Sequence, residues 1–174
     1  MYMELQPRNG QVEIMERIDK ILKHDLFIKY LNENKDAEKN RIFCRHDITH
    51  FLDVARIGRI INAEEGLGVE VELIYAAALL HDIGKHLQYI EGIPHELASS
   101  RLALSILEDC GFDDKETGVI VEAIRGHRDE DSADEKNLKG ILYRADKLSR
   151  TCFSCPAEGD CNWKGDKKNL RLQY

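Results

Sequence analysis

The stretch Leu73-Ile74-Tyr75-Ala76-Ala77-Ala78-Leu79-Leu80-His81-Asp82-Ile83-Gly84-Lys85 decides the fold. From Leu73 to Leu80 it is apolar on every face, so a helix carrying it is buried all round. An imidazole and a carboxylate at the end of such a helix are costly unless something compensates them. A divalent metal does so, since it takes neutral His and ionised Asp as ligands. A hydrogen-bonded His–Asp pair in a core does so equally well, and this stretch alone leaves both readings open. Gly84 is expected to end the helix and return Lys85 towards the same place.

Four further residues with ligand chemistry fall on inward faces. His50 is followed by Val54, Ile57 and Ile61, at helical spacings of four, three and four. His95 leads in the same way into Ala98, Leu102 and Ile106, and Ile120, Ile124 and His127 share a face. Asp146 lies with Leu142, Ala145 and Ser149 on the inner face of the last helix. One polar residue on a core face is ordinarily a satisfied core residue. Five separate stretches that each direct a His or Asp inward need shared partners, and a metal centre is the economical one.

The order His50, His81–Asp82, His95, His127, Asp146, with the strings His50-Phe-Leu-Asp-Val-Ala, His81-Asp82-Ile83-Gly84-Lys85 and Ala145-Asp146-Lys147-Leu148, resembles the HD superfamily of metal-dependent phosphohydrolases. The resemblance runs over roughly residues 42 to 150. It implies metal ligation by His50, His81, Asp82 and Asp146. At His95 and His127 it implies a second metal, with Asp82 bridging. Cofactors implied are one or two divalent transition metals, among Fe, Mn, Zn, Ni and Co. Asp82 and Lys85 are the expected catalytic residues, with Lys85, Arg144 and Lys147 as candidate contacts to a substrate phosphate. His46 competes as a ligand but reads as a surface or supporting residue, and His24 and His86 read as solvated.

Length and composition fit this. The 174 residues suffice for one domain, and 43% hydrophobic with 33% charged residues describes a soluble globular chain. No run approaches the roughly 20 apolar residues of a membrane span. Residues 1–11 lack a secretory pattern, so a cytoplasmic protein is expected. The net charge of −7 disfavours nucleic acid as a partner but not a small phosphorylated substrate, because bound metals supply local positive charge. Helices are expected at 11–32, 47–66, 70–83, 95–109, 115–126 and 135–149, started by Asp47 or Thr49 and by Pro94 in two cases. The chain is therefore read as all-α: an N-terminal helix and connector over 1–40, a helical bundle over 41–150 and a Cys-rich segment over 151–174. The charged stretch 32–40 reads as connector.

That last segment contains Cys152-Phe-Ser-Cys155-Pro-Ala-Glu-Gly-Asp-Cys161. Such a pattern is more often a metal site than a disulfide framework in an intracellular chain. Cys44 is the candidate fourth ligand: it lies six residues before His50, and Cys152 six after Asp146, about 9 Å along a helix. Zinc, an iron–sulfur centre, a disulfide or free thiols remain open; Cys110 reads as a buried apolar residue. The function expected is hydrolysis of a phosphorylated small molecule, a nucleotide above all, by metal-activated water. A di-iron oxygenase of the same fold and a non-catalytic nucleotide sensor are the alternatives.

Overall fold

The computed structural model describes residues 14–174, and among these the chain folds into eight α-helices and three short 3-10 turns, without a strand. The expected start of the first helix at residue 11, with Val12, lies outside the described residues. The helices are α1 (Glu16–Lys23), α2 (Asp25–Ala37), α3 (Ile48–Glu64), α4 (Val71–Leu80), α5 (Lys85–Glu91), α6 (His95–Asp109), α7 (Asp114–Gly126) and α8 (Leu138–Leu148).

Helix α4 is the axis of the bundle. Ala76 to Leu80 are wholly buried, and α1, α3, α6, α7 and α8 pack around it. Small residues allow close approach: a Cβ on Gly58 of α3 would lie 2.9 Å from Ile74. Helix starts are chemically fixed. The Asp47 carboxylate accepts the Thr49 and His50 backbone N–H groups at 3.0 and 3.1 Å, and Asp113 forms a capping box with Glu116. The tight turn before α4 uses Gly66 and Gly68 at positive φ and is closed by reciprocal bonds between Asn62 and the backbone of Val69.

Four expectations change. The single N-terminal helix is two, because His24 leaves helical geometry and its side chain caps α2 by accepting the Leu26 N–H. The helix expected over 70–83 stops at Leu80, and residues 81–84 form a turn into a separate helix, α5. Gly84 does not act as a left-handed helix stop, since its φ is −90°. It is glycine because a Cβ there would meet the Ser99 backbone nitrogen at 2.6 Å. The connector expected over 32–40 is helical as far as Ala37.

Helix α1 buries Ile18 and Ile21 in the core and is tied further to the bundle by one arginine. The Arg17 guanidinium bonds Glu72 at 2.6 Å, Glu116 at 2.8 and 2.9 Å and Glu70 at 3.2 Å, and stacks 4.2 Å from the Phe112 ring centre. Arg17→Ala is expected to lower the denaturant midpoint with an unchanged slope. The size is about 1 kcal/mol, at the upper end for partly exposed pairs because several partners share one fork. An unchanged midpoint would make the cluster energetically silent.

Candidate metal centre

The site forms where several helices end or begin. His81 and His127 each follow the last residue of a helix, α4 and α7, and each Nδ1 bonds the carbonyl three residues back: Ala78 at 2.7 Å and Ile124 at 2.6 Å. Those carbonyls would otherwise lack partners at a helix end. A carbonyl only accepts, so Nδ1 carries the hydrogen and Nε2 turns its lone pair to the interior. In the first turn of α3, His50 Nδ1 faces Ser149 Oγ at 3.3 Å, and Ser149 in turn donates to the Asp146 carbonyl at 2.8 Å. At the start of α6, His95 Nδ1 donates to Gln88 Oε1 at 2.5 Å.

The four Nε2 atoms then meet in pairs, His50 with His81 at 3.3 Å and His95 with His127 at 3.2 Å. Two lone pairs cannot bond each other; they need a cation between them. Asp82 lies between the pairs. Its Oδ2 is 3.3 Å from His81 Nε2 and 3.8 Å from His50 Nε2, while its Oδ1 is 3.1 Å from His95 and 3.6 Å from His127. Asp146 Oδ1 closes the first set at 3.6 Å from His50. Two groups with metal-binding geometry result, His50–His81–Asp82–Asp146 and Asp82–His95–His127, joined by Asp82. Asp82 Oδ1 is buried and makes no hydrogen bond, as a ligand atom awaiting a cation would.

Electrostatics say the same. Burial opposes a charge on His81, yet Asp82 and Asp146 outweigh it and lift His81 to about 10. Burial and then His81 hold His50 down to about 4, and burial holds His95 down to about 3. Both carboxyl groups stay well below the ordinary carboxylate range despite burial, Asp82 through His81 and Asp146 through its bond to His81. A proton can thus satisfy one imidazole, while the donor set of four imidazoles and two carboxylates suits divalent Mn, Fe, Co or Zn.

The phosphate-contact candidates separate. Lys85 Nζ is 3.1 Å from His95 Nδ1, and burial lowers its pKa against the pull of Asp82. Lys147 is engaged as a brace, bonding Asp146 Oδ2 at 2.8 Å and the His127 carbonyl at 2.9 Å. Arg144 does not fit the expectation: it pairs with Glu65, beyond the opposite end of α3 from His50, and with the Gly140 carbonyl. His86 is not solvated either; it is buried against Asn34 and 3.0 Å from Glu33. His24 pairs with Asp109 at 3.1 Å.

The cysteines are neighbours without closing. Cys44 lies near enough to Cys152 and Cys155 for their charges to act on it, while no three of the described sulfurs lie within 4.8 Å of one another. Cys110 is buried, as expected.

The sequence reading passed over Asn34 and Glu38. Asn34 is fully buried; its Nδ2 donates to the Asp82 carbonyl at 2.8 Å, and its Oδ1 accepts the His86 backbone N–H at 2.8 Å, tying α2 to both the ligand turn and the first turn of α5. Glu38 bonds His46 Nδ1 at 2.5 Å and accepts from Tyr89 at 2.7 Å, which aims His46 Nε2 at Asp82 Oδ2, 3.6 Å away. Phe27, Leu31, Asn34 and Glu38 follow the spacing that marked His50, so the signal was present. Asn34→Ala is expected to cost about 2–4 kcal/mol, since it strands two buried backbone groups. It should also weaken metal affinity; unchanged affinity with lost stability would make Asn34 purely a brace.

Comparisons with known proteins concern the same part of the chain. The family model described as HD domain matches residues 47–151. The chain is 48% identical over 160 residues to an uncharacterized protein of Clostridium beijerinckii, covering 92% of this chain and all of that one. It is 35% identical to Ribonuclease Y of Acetivibrio thermocellus over 102 residues, 59% of this chain but 17% of that protein, so it spans under a fifth of that relative. Among solved structures, a predicted HD superfamily hydrolase from an uncultured Thermotogales bacterium aligns with TM-score 0.59 at 24% identity, over 82% of this chain and 81% of the other.

Proposed function

This chain belongs to the HD domain family, and on that premise we propose that it is a metal-dependent phosphohydrolase acting on a phosphorylated small molecule, a nucleotide above all. The observation that carries the reading is Asp82, whose two oxygens face two separate pairs of imidazoles. In this reading His50, His81, Asp82 and Asp146 hold one metal and Asp82, His95 and His127 a second.

A bound divalent metal would supply Lewis acidity towards the phosphoryl oxygen and bring the pKa of its water towards 7. The chain's own residues do the rest. The carbonyls of Ala78 and Ile124 keep His81 and His127 in the ligating tautomer. Lys147 holds Asp146 in place. Lys85, set beside His95 at the start of α5, is the cation for the substrate's phosphoryl oxygens and balances charge as the ester bond lengthens. Overall, water and the phosphate ester or anhydride give phosphate and the freed hydroxyl or nucleotide.

A nucleotide is supported by the relatives named Ribonuclease Y, and the net charge of −7 favours a small substrate over a polyanion. We place the enzyme in the cytoplasm, where such substrates are held; no helix among the described residues is long and apolar enough to cross a membrane. The test is a nucleotide and phosphate-ester panel with metal-loaded protein, run with and without oxygen. Phosphate or nucleotide release that stops with a chelator and ignores oxygen is expected. Oxygen consumption coupled to turnover would make it an oxygenase, and nucleotide binding without turnover a sensor.

A further inference from the structure

The cysteines of the C-terminal segment take no part in that reaction, yet the fold brings them to one place. The segment leaves α8 and passes through consecutive backbone turns: Cys155 N–H bonds the Cys152 carbonyl at 3.2 Å, Glu158 N–H that of Cys155 at 3.2 Å, and Cys161 N–H that of Glu158 at 3.3 Å. Cys44 arrives from the opposite part of the sequence, on the strand of chain that leads into His50. His50 and Ser149 bond across the site at 3.3 Å, which ties the chain leading into His50 to the chain leaving α8.

Two cations accompany the thiols. Arg150 acts electrostatically on Cys44, and Lys168 on both Cys152 and Cys161. Four thiolates around one divalent ion would carry a charge of −2, which Arg150 offsets in part, while Lys168 is shared with Glu158.

The segment also lacks other means of folding. From residue 151 to 174 only Ala157 is buried, while Phe153 and Trp163 are 46% and 42% exposed. It is held by Asn169, whose amide donates to the carbonyls of Lys147, Leu148 and Arg150 at 2.8, 3.2 and 3.0 Å, and by Lys168 on Glu158. A covalent-strength crosslink is the usual remedy for a segment without a core, and a thiolate metal site supplies one.

We propose that Cys44, Cys152, Cys155 and Cys161 form a second, structural metal site that takes a thiophilic divalent ion such as zinc in tetrahedral coordination, pinning the C-terminal segment to the entrance of α3. Closure requires side-chain rotation of the neighbouring thiols, and each releases its proton to solvent as the ion binds.

The probe is the metal alone. Reduced full-length protein loaded with Co(II) should show thiolate-to-metal charge-transfer absorption, which the nitrogen and oxygen ligands of the other centre cannot produce. The band should weaken by at least about a quarter in Cys44→Ser and in Cys155→Ser, in proportion to the thiolate lost, and persist unchanged in Asp82→Ala and Cys110→Ala. In wild-type protein, zinc should slow alkylation of four of the five cysteines, and chelation should restore it. Absence of the band from reduced, cobalt-loaded wild type, an undiminished band in Cys44→Ser, or equal alkylation of the tail thiols with and without zinc would each overturn the proposal. The alkylation arm uses wild type and decides the matter even where a variant fails to fold. The band depends on sulfur ligation only, so it stands or falls independently of the phosphohydrolase reading.

Discussion

Asp82→Ala, purified beside wild type, should retain its helical content and hold no metal at the His/Asp centre. Phosphate release should fall by at least about a thousandfold, since removing metal-borne charge stabilisation forfeits several kcal/mol of barrier reduction. The helices survive because their packing rests on the apolar faces around α4, where Ala76 to Leu80 are wholly buried. The metals do not, because Asp82 is common to both ligand groups. Asp82→Asn preserves volume and removes only the charge, so it should fail in the same way. Metal analysis and a phosphate-release assay on both variants check this, and a fully active Asp82→Ala would end the phosphohydrolase reading.

His127→Ala should behave differently. Its Nε2 faces His95 and Asp82 Oδ1, away from the His50–Asp146 set. Metal content at the centre is expected to fall from two ions per chain to one, with activity lowered at least about a hundredfold, near 2.7 kcal/mol of lost transition-state stabilisation. His95→Ala should match it, while His50→Ala should spare the ion that His127 helps to hold. Unchanged metal content in both His95→Ala and His127→Ala would show a mononuclear site.

Much of the fold was legible because its helices announce themselves through apolar spacing and polar caps. The sixth helix begins and ends where its pattern says, at His95 and Asp109, after a proline and before Cys110-Gly111. The inward-facing histidines were legible for the same reason, since each sits in register with apolar neighbours. The turn at 81–84 was not, because Ile83 continues the apolar run and only the approach of Ser99 to Gly84 reveals why the chain bends there. Asn34 and Glu38 were hidden by charged neighbours that made a half-buried helix look like a connector. Arg144 and Lys147 could not be told apart from sequence: they stand one turn apart on α8, and only the fold shows that Arg144 reaches back to Glu65 while Lys147 reaches Asp146.

The placement of His81 and His127 directly after the last residues of their helices has an electrostatic consequence. The C-terminal ends of α4 and α7 converge on the ligands, and Asp146 lies in the last turn of α8, so three helices direct the negative poles of their macrodipoles at one place. Each is worth about 0.3–1 kcal/mol to a cation near the helix end. Helix α3, which carries His50 in its first turn, and helix α6, which starts at His95, bring positive poles to the same ligands. The backbone field at the centre is therefore the difference between helix ends that favour a cation and helix ends that favour an anion, and it is set before any side chain contributes.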